Sequence, residues 1–259
     1  MNRWVGATLF VFVMAGLYGC AGRTAERFTL ELDLPAGFAA LGDATYTPAP
    51  GETCKLPKRM GKRPELKIFK AASKPVANRV SFDVPLTESV DGCALVVREL
   101  VFALNARWGT RWSDIGRDYA IIYFRDNGEA WTSPMPESGV LELHGQCQWV
   151  FRTVGYAHAL IKGLRCRSLD DGGQITTERP GGYVTRDGLA GRTLRMTWAL
   201  SEEESPADGD NWVSVPGGWR RCMGESQDDV FGFCRGNVTD FKRFKMPDGR
   251  FCSIYPTCY

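Results

Sequence analysis

The sequence predicts an all-β or β-rich protein, built as one or two disulfide-supported sandwich-like units. Three observations predict it. Short runs of alternating apolar and polar residues recur along the chain, turn dipeptides separate them, and eight cysteines remain when Cys20 near the N-terminus is set aside. With 259 residues, 44% apolar and 24% charged, the composition is that of a folded globular protein able to bury a core. A formal charge of +2 lacks the global basic excess that holds nucleic acid, so no nucleic-acid partner is expected.

The segment RFTLELDL alternates from Phe28 to Leu34 as a half-buried strand does. Further strands are expected over Glu65 to Lys70, Arg79 to Leu86, Ala94 to Asn105, Asp118 to Arg125, Val140 to His144 and Gln148 to Val154. Others follow over Ala159 to Arg167, Arg192 to Leu200, Val238 to Lys245 and Arg250 to Tyr255. Asp91-Gly92, Asn127-Gly128, Asp187-Gly188, Asp208-Gly209 and Asp248-Gly249 mark reversals, because Gly tolerates positive φ. Cys93 to Trp108 is the one stretch with some helical character; it fits neither period cleanly and is read as a long strand. The Pro-containing stretch Thr132 to Gly139 is the best boundary, giving N-terminal and C-terminal β-rich domains at 26–135 and 136–259.

The N-terminus begins with Arg3, runs uncharged and apolar from Trp4 to Leu17 and ends in small residues, the form of a secretory signal peptide over 1–19. Its apolar stretch is short for a comfortable transmembrane helix. Leu17-Tyr18-Gly19-Cys20 resembles the bacterial lipobox, with Tyr18 departing from the family's usual small or β-branched residue. The resemblance implies cleavage before Cys20, lipidation of its thiol with palmitate among the acyl chains, and a lipidated tether over 20–25. Several acyl chains on one residue anchor a protein stably without a spanning helix, since each buried methylene contributes about 0.8 kcal/mol. Ala21, not Asp, follows Cys20, which by the same resemblance implies an outer-membrane anchor with the domain facing the periplasm. The alternative is an ordinary cleaved signal whose Cys20 is incidental. Loss of Arg3 with the leader leaves 31 basic against 30 acidic groups.

Cys54, Cys93, Cys147, Cys166, Cys222, Cys234, Cys252 and Cys258 form an even set in a chain bound for an oxidising compartment, and read as four disulfides. Eight cysteines allow 105 connectivities. The sequential one closes modest loops and is the working pairing: Cys54 with Cys93, Cys147 with Cys166, Cys222 with Cys234, Cys252 with Cys258. Zinc is the competing use, but no Cys-x-x-Cys occurs and His144 and His158, the only histidines, are widely spaced. The spacing of Cys252 and Cys258 is not that of a redox dithiol and suits a stapled C-terminal hairpin. No metal site and no cofactor are expected.

Catalysis in such a compartment would rest on Ser or Thr with one of the two histidines, or on paired carboxylates. Neither histidine lies in a triad signature, and Met223 to Asp228 lacks the second Gly of a nucleophile elbow. Asp170-Asp171 and Asp228-Asp229 are sequence neighbours that point apart along an extended chain, as residues of solvated turns do. No catalytic residue is assigned, and a noncatalytic protein is expected.

Charge and aromatic clusters are more informative. Lys55, Lys58, Arg59, Lys62, Arg63, Lys67, Lys70 and Lys74 face the single acid Glu65. Such a block attracts anionic lipid headgroups or an acidic protein face, or else solvates a loop. Ser201 to Asp210 carries five acids and no base. NARWGTRWSDIGRDY gathers Trp108, Arg111 and Trp112, residue types that dominate interface hot spots, and these three are the candidate partner-binding residues. The alternative places the Trp rings in the core with Arg stacked on them. Trp212, Trp219, Arg220 and Arg221 pose the same choice.

The Leu17 to Cys20 lipobox, the β-rich disulfide-supported body and the terminal Phe251-Cys-Ser-Ile-Tyr-Pro-Thr-Cys258 together resemble a group of outer-membrane lipoproteins. These are immunity proteins against type VI secretion phospholipase effectors. What the resemblance implies is a noncatalytic periplasmic β surface that binds an incoming lipase and blocks substrate access to its active site. A constitutive envelope-binding or assembly lipoprotein, contacting lipid, lipopolysaccharide or another envelope protein, is the alternative.

Overall fold

Seventeen strands, and no helix, organise the described residues of the computed structural model, which are 26–56, 66–128, 132–207, 211–224, 234 and 239–259. The first seven are β1 (Arg27–Leu34), β2 (Phe38–Pro48), β3 (Leu66–Ala71), β4 (Asn78–Pro85), β5 (Thr87–Val90), β6 (Cys93–Arg107) and β7 (Ile115–Arg125). Then come β8 (Val140–Val154), β9 (Ala159–Ser168), β10 (Gly181–Thr185), β11 (Thr193–Leu200) and β12 (Ser205–Pro206). The last five are β13 (Trp212–Val215), β14 (Gly218–Arg221), β15 (Phe244–Lys245), β16 (Phe251–Cys252) and β17 (Tyr255–Pro256). The β-rich, disulfide-supported class expected from the sequence is the class observed.

One sheet runs β16-β15-β9-β8-β11-β1-β4, with β12 added to β8; a second runs β10-β7-β6-β2-β3, with β5 added to β6. Strand β1 alternates buried and half-buried residues, so Phe28, Leu30, Leu32 and Leu34 all enter the core. The facing sheet answers with Phe38, Tyr46, Leu100, Phe102 and Phe124 in the same core. Phe28 and Phe124 touch across the gap with ring centroids 5.5 Å apart, and the Tyr46 hydroxyl, on β2, donates to the Pro85 carbonyl of β4 at 2.8 Å. The two sheets are therefore a sandwich.

Pairing of β1 with both β4 and β11 places strands from either side of residue 135 in one sheet. Val140 to Val154 is one continuous strand, where the sequence suggested two separated by Gly145 to Cys147. Cys93 to Arg107 is a single 15-residue strand, as read from sequence. Its start is a two-residue hairpin from β5, with Asp91 at φ 51° and Gly92 at φ 79°, the backbone that matches strand twist.

A smaller aromatic core caps the far ends of β8 and β9. Phe151 lies 4.5 Å from Tyr255 and 5.0 Å from Trp212, and Trp212 lies 5.2 Å from Phe244, ring centroid to centroid. The three-stranded sheet β13-β14-β17 covers this cluster. Four disulfides join Cys54 to Cys93, Cys147 to Cys166, Cys222 to Cys234 and Cys252 to Cys258, the sequential pairing. Cys147 and Cys166 are direct cross-strand partners on β8 and β9, with Cα atoms 3.9 Å apart. Cys20 lies outside the described residues, as do Lys58, Arg59, Lys62, Arg63, Glu65 and Asp228-Asp229.

Candidate protein-binding surface

The β6–β7 loop carries the three residues singled out from sequence, and the structure divides them. Trp108 is half-buried and packs on the main core. Arg111 lies over it, the guanidinium carbon 5.9 Å from the ring centroid. Trp112 projects into solvent, 85% exposed. Trp108 thus takes the core position of one sequence reading and Trp112 the exposed position of the other.

The loop is held by a buried carboxylate. Asp114 accepts hydrogen bonds from the Arg111 backbone N–H at 3.0 Å and from Arg111 Nε at 2.9 Å. The Asp114 N–H in turn donates to the Arg111 carbonyl at 3.0 Å, and Arg107 donates to the same carbonyl at 3.0 Å. The Arg111 side-chain hydrogen bond holds the Asp114 carboxyl below the usual carboxylate range. Such a closed ring of bonds fixes the loop that carries Trp112 before any partner arrives, which lowers the entropy cost of binding.

Beside the loop is a cleft of about 400 Å³ lined by Trp108, Arg111, Leu160, Lys162, Met246 and Tyr255 among others. Its charges are internally paired. Lys162 bonds Glu204 at 2.5 Å and lies 5.6 Å from the Tyr255 ring centroid, while the Tyr255 hydroxyl donates to the other Glu204 oxygen. Burial, and then Glu204, push the Tyr255 phenol far above its ordinary range. Glu204, from the acidic segment, therefore serves the fold.

The larger feature is the outward face of the second sheet. Because side chains alternate along a strand, register gives the rows. One runs Tyr183, Tyr123, Glu99, Thr45 from β10 across β7 and β6 to β2. The next runs Ile121, Val101, Asp43, Ile68, and the third Tyr119, Ala103, Leu41, Lys70. Ile68 is 60% exposed, and Leu41, Tyr119, Tyr183 and Ile115 are exposed too. Ile115 leads directly to the Trp112 loop. Tyr123 and Tyr183 stack at 5.0 Å with Arg125 over both rings.

Comparison with known families, curated proteins and solved structures returns no match.

Strand spacing of about 4.8 Å and a rise of about 3.4 Å per residue give this face a footprint of roughly 500 Å² before Trp112 is added. A standard interface takes about 800 Å² from each partner. The footprint of this face includes Glu99, Thr45, Asp43 and Lys70 among the exposed apolar side chains, a mixed apolar and charged face of the kind that protein interfaces use. Of this face, sequence reading had only Tyr119, in the cluster around Trp108 and Trp112; it missed Ile121 and Tyr123 because apolar residues on both faces of β7 blur the alternation, and Leu41, Ile68 and Tyr183 because each is a single residue on another strand. The signal available was the run AIIY, Ala120 to Tyr123, in which neighbours on opposite faces are all apolar.

The remaining candidates serve structure. Trp212 is buried in the aromatic core, with Trp219 packed beside it. Arg221 is buried and donates to Thr153 Oγ1 at 2.7 Å and to the Cys222 carbonyl at 2.8 Å. Burial pushes the Arg221 guanidinium below its ordinary range. Arg220 lies over Phe241 at 5.1 Å. His144 is exposed, 3.7 Å from Glu142. His158 is buried at φ 46°, and burial, with Arg221 and Lys242 nearby, lowers its pKa. Asp170 accepts the backbone N–H groups of Gly172 at 2.9 Å and Gln174 at 2.8 Å, an Asx turn. Among the described residues, no three of His, Cys, Asp and Glu gather as metal ligands.

Proposed function

We propose that this chain is a noncatalytic protein-binding domain, tethered by acylated Cys20 to the outer membrane and facing the periplasm. Its partner is a secreted lipase effector of a type VI system, which it inhibits as an immunity protein by covering the approach to the lipase active site. The observation that carries the binding reading is the set of exposed apolar residues Ile68, Leu41, Tyr119 and Ile115 on one sheet face, set among Asp43, Glu99 and Lys70, with exposed Trp112 on the clamped loop beside it. Trp and Tyr are the residue types that supply interface energy with little entropy to lose. The lipase class rests on the resemblance of the lipobox and of the C-terminal cysteine segment.

Charge on the face says what the partner presents. Asp43 and Glu99 sit on adjacent strands near its centre, while Lys70, Arg117 and Arg125 lie towards its rim. A complementary surface has a basic side chain for the central acids within an apolar patch, and acids around it. The central acids count against an anionic lipid surface as the occupant. The exposed basic residues Lys70 and Lys74 favour the second reading, an envelope-binding lipoprotein, whereas Lys67 is paired with Glu88. Salt-dependent binding to phosphatidylglycerol vesicles, lost when the Lys55 to Lys74 block is neutralised, would support that reading against the first.

The test is inhibition of the lipase encoded beside the gene. A stoichiometric titration endpoint that is unchanged in a His144→Ala, His158→Ala double variant fits noncatalytic inhibition. Absence of any toxin gene beside this one, with no effector co-purifying, would sink the immunity reading.

A further inference from the structure

The chain enters the sandwich at one end and presents Trp112 at the other. Strand β1 opens with Arg27 paired to Pro85 of β4; β11 and β8 run parallel to it, with Thr29 beside Thr193 and Thr193 beside Val140. The entering segment is bonded there: the Leu86 N–H donates to the Glu26 carbonyl at 2.7 Å and the Gly191 N–H to the Arg27 carbonyl at 2.8 Å. In the facing sheet this end holds the close of β2 and of β7, since Tyr46 reaches Pro85 and Phe124 touches Phe28. Strand β7 begins at the opposite end, where Ile115 pairs with Arg107 of β6. At about 3.4 Å per residue, Ile115 lies roughly 30 Å from Phe124.

Trp112 lies beyond Ile115, with the row of Tyr119 and Leu41 next to it on the sheet. Strands β8 and β9 run on in the same direction to a hairpin whose Tyr156 is fully exposed. A tether over 20–25 extends about 20 Å at most. It therefore brings Trp112 to the lipid only if the body lies flat, and neither broad face suits that. On the outward face of the first sheet the charges answer one another: Arg79 pairs with Asp33 and Glu31, Arg195 with Glu31 and Glu142, and Arg27 with Asp83. On that of the second sheet the central acids Asp43 and Glu99 oppose an anionic leaflet.

Resting on the anchor and the protein-binding reading proposed above, we infer that the molecule stands on the opening of β1 and holds Trp112 about 30 Å further from the lipid. The partner this arrangement fits is a soluble protein, captured in the compartment before it reaches the membrane. A partner embedded in lipid would need its contact residues at the entry end, beside Arg27, where Trp112 and Ile115 are not. Capture at the far end also holds a lipase off its substrate surface.

Energy transfer to the membrane reads this height. The acylated, oxidised protein is placed in vesicles of phosphatidylethanolamine and phosphatidylglycerol that carry a rhodamine-headgroup lipid. A fluorescent amino acid replaces either Trp112 or Asp187, which is exposed in the 186–191 loop that reaches Arg27. Transfer from position 187 should exceed that from position 112 several-fold. Equal transfer, or more from position 112, overturns the inference and leaves the protein-binding reading standing, since the lipase titration tests that by itself. Acyl-free Cys20→Ser protein in plain buffer should bind the lipase as tightly as the vesicle-borne protein; binding that requires vesicles overturns the soluble partner. Natural protein that lacks acyl chains and stays off the vesicles overturns the anchor and this inference together.

Discussion

At the residue scale, Trp112 separates binding from folding. Its ring projects into solvent while the Asp114–Arg111 bonds beneath it hold the loop. Trp112→Ala should leave the melting midpoint within about 1 °C, as surface changes do, and weaken the partner complex by about 2 kcal/mol, roughly 30-fold, the scale of a hot spot. Calorimetry of the variant, alone and with the lipase, reads both. Asp33 predicts acid sensitivity. The Arg79 hydrogen bond holds its carboxyl below the usual range, so the native state keeps this charge after the unfolded chain has taken up its proton. Its contribution is full above about pH 4 and is lost as pH falls through the lowered native value. The fall in melting temperature below pH 4 should be shallower in Asp33→Asn than in the parent. The Trp and Arg residues of this loop were legible from sequence. The partition of Trp108 inward and Trp112 outward was not, since it depends on Asp114 folding back beneath the loop.

At the element scale, β1 and β11 follow from alternation alone, because their inward positions carry Phe, Leu, Met and Trp and their outward ones mostly polar residues, whereas β6 fits neither period cleanly, since Val96, Val101 and Ala103 point outward. Strand β2 escapes such reading. Its inward residues include Ala40, Gly42 and Ala44 while Leu41 points out, so the hydropathy pattern runs counter to the burial. The reason lies across the sheet: a Cβ on Gly42 would fall 2.0 Å from the Phe102 ring, which uses that space. Gly42→Val should destabilise by roughly 1–3 kcal/mol through overpacking, measured by denaturant titration, whereas Leu41→Glu should change stability little. The cross-strand bridge of β8 and β9 is a further test. Replacing Cys147 and Cys166 together by Ser releases a loop of 19 residues' separation and should cost about 3 kcal/mol on the same assay. The short strands β13 to β17 were not legible as such, since two- to four-residue elements are set by the aromatic core beneath them rather than by any period of their own.

At the scale of the whole molecule, among the described residues the outward face of the second sheet carries exposed apolar side chains set among charges, and that face, with Trp112 at its margin, is what the proposed function stands on. The even count of the remaining eight cysteines, read with the expected export, made the bridges legible. The face was hidden, because neighbouring strands contribute one or two residues each and only the register brings Ile68, Leu41 and Tyr119 together. Charge reversal there tests the account most directly. On the proposed function, a neighbouring gene encodes a lipase effector, and the purified, oxidised protein should inhibit that lipase with a one-to-one endpoint. The Ile68→Glu, Tyr119→Glu double variant, folded to the same melting temperature within a few degrees, should fail to inhibit at the same concentration. Full inhibition by that variant would place the contact elsewhere and contradict the account.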